Sequence, residues 1–247
     1  MKQCSCITLL ILFSFNRCLS FSSKEDLKVV IARFNEAVDH LMWLKHIPHV
    51  LYNRGDELLN NAFNERMHYE NVGRESFLYL NYILKNYHNL PKYIIFTQAK
   101  QRPEVYNFTD EDFRHTVEHF LHRNKQLSPE NDGFAYLLPR CFNFEFGVKT
   151  WGFAKDNFFK TLLNFEVKNP RFGPTGCFIV SRDLVLRNTK NYYSTLIKTL
   201  SKENNPRIGH FFERAWSSVF HSNCTSSIKN YYCHIGNLIT PECEIYT

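Results

Sequence analysis

Three short apolar runs, rich in β-branched and aromatic residues, limit what this chain can fold into. They are LKVVIA from Leu27 to Ala32, HVLY from His49 to Tyr52 and YIIFT from Tyr93 to Thr97. Their length and composition mark buried strands. A helix is expected between the first two, from about Ala37 to Lys45 and ended by Pro48. A second is opened by Asn71, Val72, Gly73, Arg74 and Glu75 and runs through Tyr87, with Phe77, Leu80, Leu84 and Tyr87 at helical spacing. This β-α-β-α-β alternation predicts an α/β domain with a mostly parallel sheet flanked by helices. Such sheets bind ligands at the C-terminal ends of their strands. Arg33, Asn35, Glu36, Gln98 and Lys100 would lie there, with Gly73 and Arg74 contributed by the turn before the second helix.

Further along, Thr109 is placed to cap a helix from Asp110 to Asn124, with Asp112 completing a variant capping box. The acidic trio Asp110, Glu111 and Asp112 contains an Asp-x-Asp that could hold a divalent ion. A helix start, where negative charge is favourable, is the better reading. His115, His119 and His122 share one face of that helix and could ligate a metal, but they lie opposite its apolar stripe and read as a solvated face. No metal site is assigned. The segment 128–152 is irregular and aromatic. A strand from Cys177 to Val180 is followed by Ser181-Arg182-Asp183, then by two helices, about Tyr192 to Leu200 and His210 to Phe220. On the last helix Phe212, Trp216 and Val219 form the apolar stripe, and Glu213 sits at its border. A partly buried carboxylate there could act as a general base or serve as a salt-bridge partner.

The N-terminus has the order of a signal peptide: Lys2, an apolar core from Ile7 to Phe15, then Cys18, Leu19, Ser20 and Ser22 before the first acids. The core is shorter than the roughly 20 residues of a spanning helix. Residues 1–20 are therefore expected to be a cleaved leader, 24–222 the α/β domain and 223–247 a cysteine-containing tail. The expected location is outside the cell or in the ER or Golgi lumen, with no membrane span after cleavage. Five cysteines remain beyond the leader, Cys141, Cys177, Cys224, Cys233 and Cys243. In an oxidising lumen they should mostly pair. Cys141–Cys177 and Cys224–Cys233 are the expected disulfides, with Cys243 left over. The sequons at Asn107 and Asn223 suit a glycoprotein. The formal net charge of +6 is mild and the basic residues are scattered, which gives no sign of nucleic-acid binding and weak support for an anionic ligand.

No GxGxxG, P-loop, HExxH or GxSxG motif is present. The blocks VVIARFNE, YNRGDE, NVGRESFLYLNYIL and YIIFTQ resemble, in that order, the uncharacterised domain-of-unknown-function family 3431. GCFIVSRD, NYYSTLI and GHFFERAWSSVF resemble its C-terminal half, so the likeness runs from about Val29 to Phe220. More loosely, a strand ending in an RxNE-type motif is similar to the start of GT-A glycosyltransferases, whose architecture is Rossmann-like. So is a strand with SRD followed by an acidic helix. That resemblance implies a nucleotide-sugar site lined by Arg33, Asn35 and Glu36, and Glu213 as the base that deprotonates an acceptor hydroxyl. GT-A enzymes usually hold Mn²⁺ or Mg²⁺ on an Asp-x-Asp, whereas here the strand ending at Thr97 continues as Gln98, Ala99 and Lys100. Lys100, Arg102 and Arg74 would then have to neutralise the diphosphate. No cofactor is assigned.

The expectation is a glycosyltransferase-like protein of the secretory pathway that moves a sugar from a nucleotide donor to a glycan or other hydroxyl acceptor. The alternative is a non-catalytic secreted module that binds glycan or protein. A hydrolase ranks last, because no nucleophile-and-base pair is visible.

Overall fold

The computed structural model describes residues 26–58, 63, 66–68, 70–100, 109–123, 133–137, 142–143, 171–172, 176–200, 204 and 207–220. The expected leader, the sequon asparagines Asn107 and Asn223, Arg102 and Cys141, Cys224, Cys233 and Cys243 lie outside them. In chain order come β1 (Leu27–Arg33), a 3-10 helix (Asp39–His46), β2 (His49–Asn53), β3 (Arg66–His68), α1 (Arg74–Asn86) and β4 (Tyr93–Gln98). Then follow α2 (Asp110–Arg123), β5 (Phe134–Tyr136), β6 (Phe142–Asn143), β7 (Arg171–Phe172), β8 (Phe178–Ser181), α3 (Arg182–Val185), α4 (Lys190–Lys198) and α5 (Arg207–Phe220).

Six strands form one sheet in the order β3-β2-β1-β4-β8-β5, and β6 pairs with β7 in a separate ladder. The pairings from β3 through β4 are parallel. β8 runs antiparallel to both β4 and β5, so the sheet is mixed. The side chains of β1 and β2 are almost all buried because helices cover both faces. Successive strand residues point to opposite faces. Val30, Ala32, Ile94 and Phe96 accordingly join one core with α1, α4 and α5. Val29, Ile31, Leu51 and Ile95 join another, closed by the 3-10 helix and α2.

Several local expectations are met and others corrected. The helix expected from Ala37 is a 3-10 helix that begins at Asp39, where Val38 supplies no side-chain cap. Thr109 and Asp112 form the reciprocal box: the Asp112 N–H donates to Thr109 Oγ1 at 3.2 Å, and the Thr109 N–H donates to Asp112 Oδ2 at 2.8 Å. His115 on the same helix is exposed and meets Glu111 at 2.9 Å. Among the described residues no group of three or more His, Cys, Asp or Glu could hold a metal ion, and no helix is long and apolar enough to cross a membrane.

Ser181 caps α3, its hydroxyl accepting from the Leu184 N–H at 3.2 Å. Because β8 is antiparallel, Ser181 is level with Tyr93, the first residue of β4. Ser181-Arg182-Asp183 therefore starts a helix at the sheet edge opposite the C-terminal ends of the parallel strands. The Cys141–Cys177 disulfide is also corrected. Cys177 is a free, buried thiol that donates to Thr97 Oγ1 at 3.4 Å. Burial pushes its pKa up to about 12, so it is protonated and inert.

Candidate functional site

The order of the strands locates the site. β2 and β4 flank β1 on opposite sides. Chain connections leaving the C-terminal ends of β1 and β4 therefore diverge, and such a reversal opens a crevice.

At the end of β1 the expected residues are present, but the structure gives them a bracing role. Arg33 is buried. Its guanidinium donates to the carbonyls of Phe34, Glu36 and Asp56 at 3.1, 2.9 and 2.8 Å and to Asn53 Oδ1 at 2.6 Å. Asn35 Oδ1 accepts the Asp56 N–H at 2.7 Å, and Glu36 Oε2 accepts the Phe34 N–H at 2.6 Å. The loops after β1 and β2 are thus tied together by their own polar groups. Gln98 pairs in register with Ala32 at the end of β4 and is partly exposed, and Lys100 just beyond it is exposed.

A second group of charges gathers where α1 and α5 begin. Gly73 and Arg74 both take left-handed backbone, with φ of 66° and 54°. A side chain at 73 would also press the Leu200 carbonyl at 2.7 Å, so glycine is needed there on two counts. α1 begins at Arg74, inside the Asn71–Glu75 segment expected to open it. Arg54, at the end of β2, donates to the Val72 carbonyl at 2.6 Å and to the carbonyl of Arg74. The Arg74 guanidinium reaches His210 Nε2 at 3.0 Å and lies 3.5 Å from Glu75 Oε2. It crosses α5 over Gly209, where an added Cβ would come within 2.8 Å of its Cδ. His210 Nδ1 is 3.8 Å from Glu213 Oε2. His210 therefore links Arg74 to Glu213.

The fields of these groups overlap. Burial lowers the Arg54 pKa to about 10, against the opposing pull of Glu75 and Glu36. Burial raises the Glu75 pKa, Arg74 partly offsets this, and Glu213 adds to it. Tyr79 is pushed well above its ordinary value by burial and then by Glu75. Glu36, Arg54, Glu75 and Glu213 thus form one electrostatic chain from the β1 loop to α5.

Arg54, Tyr79, His210 and Trp216 are not among the site residues expected from the sequence, and Glu75 is expected only as part of the segment that opens α1. The apolar stripe of α1 explains the misreading. The side chains fully in the core include Leu78, Tyr79, Tyr82 and Ile83, whereas Phe77, Leu84 and Tyr87 are only partly buried. Glu75 precedes Tyr79 by four and lies on that core face. A carboxylate in register with Tyr79 and Tyr82 was the available signal.

Stability should depend on pH through Glu75. Its folded pKa is raised above 4.5, so the folded chain holds the proton more tightly than the unfolded one. That contribution is full below the unfolded value and is lost as pH rises through the folded value. The melting temperature should therefore carry a downward component as pH rises from about 4.5. Glu75→Gln should flatten it in a pH series of thermal melts. An unchanged slope in the variant would show that Glu75 does not titrate as described.

Fold and site together define an α/β protein with a polar cluster at the C-terminal edge of a mixed sheet. Residues 29–145, just under half of the chain, match the model of a family described as protein of unknown function (DUF3431). The match includes β1, β2, α1 and β4 with Arg33, Arg54, Arg74 and Glu75, and stops before α5. No curated protein and no solved structure matches the chain.

Proposed function

We propose that this chain is a glycosyltransferase-like protein that binds a nucleotide-sugar donor at the C-terminal ends of β1 and β4 and transfers the sugar to a hydroxyl acceptor. The observation that carries the reading is the link from Arg74 through His210 to Glu213 where α1 and α5 begin, in a sheet whose strand order reverses between β1 and β4. Arg74 and Lys100 neutralise the diphosphate, a task that guanidinium and ammonium groups perform well. Glu213, oriented by His210, takes the proton of the acceptor hydroxyl. The acceptor oxygen then bonds to the anomeric carbon as the bond from that carbon to the phosphate oxygen breaks, and the nucleoside diphosphate leaves with the electron pair. The reading places the protein in the secretory lumen or outside the cell, after removal of residues 1–20, as a glycosylated chain.

A second reading, a non-catalytic module for glycan or protein, draws on one observation. The Arg33 guanidinium is engaged by its own loop, which leaves one cation fewer to hold a phosphate. A thermal-shift screen of nucleotide sugars, each with Mn²⁺ and with EDTA, separates the two. The enzyme reading predicts stabilisation by at least one nucleotide diphosphate, retained in EDTA because Arg74 and Lys100 serve in place of a metal. No shift with any nucleotide would favour the module.

A further inference from the structure

Behind the Arg74–His210–Glu213 lip, three polar atoms are buried with no hydrogen-bond partner among the described residues: Glu75 Oε1, the Tyr79 hydroxyl and Trp216 Nε1. Glu75 is 7% exposed, and Tyr79 and Trp216 are fully buried. Buried polar groups are nearly always satisfied, so three such atoms in one place point to a missing partner. Gly176, itself buried, leaves a gap beside two of them because it has no side chain. A Cβ added there would stand 3.7 Å from both Glu75 Oε1 and Trp216 Nε1, a space that any other residue would fill. Gly176 has a φ of 59°, a backbone that disfavours a side chain as well. Tyr79 packs on Trp216 with ring centroids 5.7 Å apart, which fixes the second wall.

We propose that Glu75, Tyr79 and Trp216 form a subsite that receives a hydroxyl of a neutral sugar ring, reached past Arg74, His210 and Glu213. The chemistry of the walls selects that class. The indole N–H only donates, the phenol both donates and accepts, and the carboxyl accepts. A hydroxyl, which donates once and accepts twice, can satisfy more than one of them together. A second anion would be repelled by Glu75 and Glu213. An apolar group would leave all three atoms unmet. The identity of the sugar as part of a donor rests on the transfer reading above; the subsite itself rests only on the three orphaned atoms and the gap beside Gly176.

The test is ¹⁵N-indole spectroscopy on the full chain, which has three tryptophans. Trp216→Phe assigns the Trp216 signal. Free monosaccharides, UDP and GDP, and the corresponding UDP- and GDP-sugars are titrated separately, with calorimetry in parallel. The expected result is a Trp216 N–H shift with sugar-bearing ligands and none with UDP or GDP alone. Tyr79→Phe removes a hydroxyl that holds no other group, so it should fold. It should weaken binding of the sugar-bearing ligand about tenfold and leave UDP or GDP affinity unchanged. If nucleotide sugars bind by calorimetry while the Trp216 signal stays still, the subsite is overturned and the transfer reading survives. If only free monosaccharides move it and no nucleotide binds, the subsite stands and the transfer reading fails. A signal that no sugar moves, with a persistent cross-peak to bound water, identifies a sealed water site and overturns the proposal.

Discussion

Glu213→Gln should lower the rate of sugar transfer about 10²–10⁴-fold while nucleotide diphosphate affinity stays at the wild-type level. The glutamine keeps the size of the side chain and removes the proton acceptor. His210 and Arg74 remain in place, since they meet each other independently of Glu213 at 3.0 Å. Glu213 sits on α5 only three residues before Trp216, so a purely structural role must also be considered. A drop in melting temperature together with loss of nucleotide binding would identify that role, because a base contributes to the transition state and not to holding the nucleotide. Transfer assays and calorimetry on one preparation distinguish the outcomes.

Gly55→Ala should destabilise the fold by about 3 kcal/mol or more. A methyl group at 55 would overlap the Phe34 carbonyl oxygen and Asn35 Oδ1. Neither can retreat cheaply, because the Phe34 carbonyl accepts from Arg33 and Asn35 Oδ1 accepts the Asp56 N–H. The Gly55 N–H itself donates to Asn53 Oδ1 at 3.1 Å. The substitution would separate the two loops and release Arg33 from its carbonyls, leaving a buried guanidinium short of acceptors. Chemical denaturation measures the loss. A variant as stable as the parent would mean that the loops are not joined as described.

The sequence was most informative where one physical signal dominated. Runs such as VVIA and YIIF are buried on both faces, and their hydrophobicity located β1 and β4 to within a residue or two at each end. The Thr109–Asp112 box was legible because capping is local chemistry. The short strand β3 was not, since Arg66-Met67-His68 carries no alternation long enough to read. β8 was found but not its direction, which is set by tertiary pairing with β4 and β5. That direction moved Ser181-Arg182-Asp183 to the far edge and turned a candidate motif into a helix cap. At the site, Arg74 and Glu213 were singled out by residue type, whereas His210, which links them, was not. Arg33 was correctly placed at a strand end, but its partners are backbone carbonyls of two loops, which no spacing encodes. Glu75 was not singled out, because its burial is set by the packing of the α1 core face that it shares with Tyr79. The free thiol of Cys177 was hidden by parity, because counting cysteines does not show which side chain lies inside a sheet.

The central claim, that an anionic donor binds where β1 and β4 end, is tested most directly by a crystal structure of the full chain with the best-stabilising nucleotide diphosphate bound. The diphosphate is predicted to lie against Arg74 and Lys100 with Glu213 facing the departing group. Density at the opposite edge, beside Ser181 and the start of α3, would contradict it.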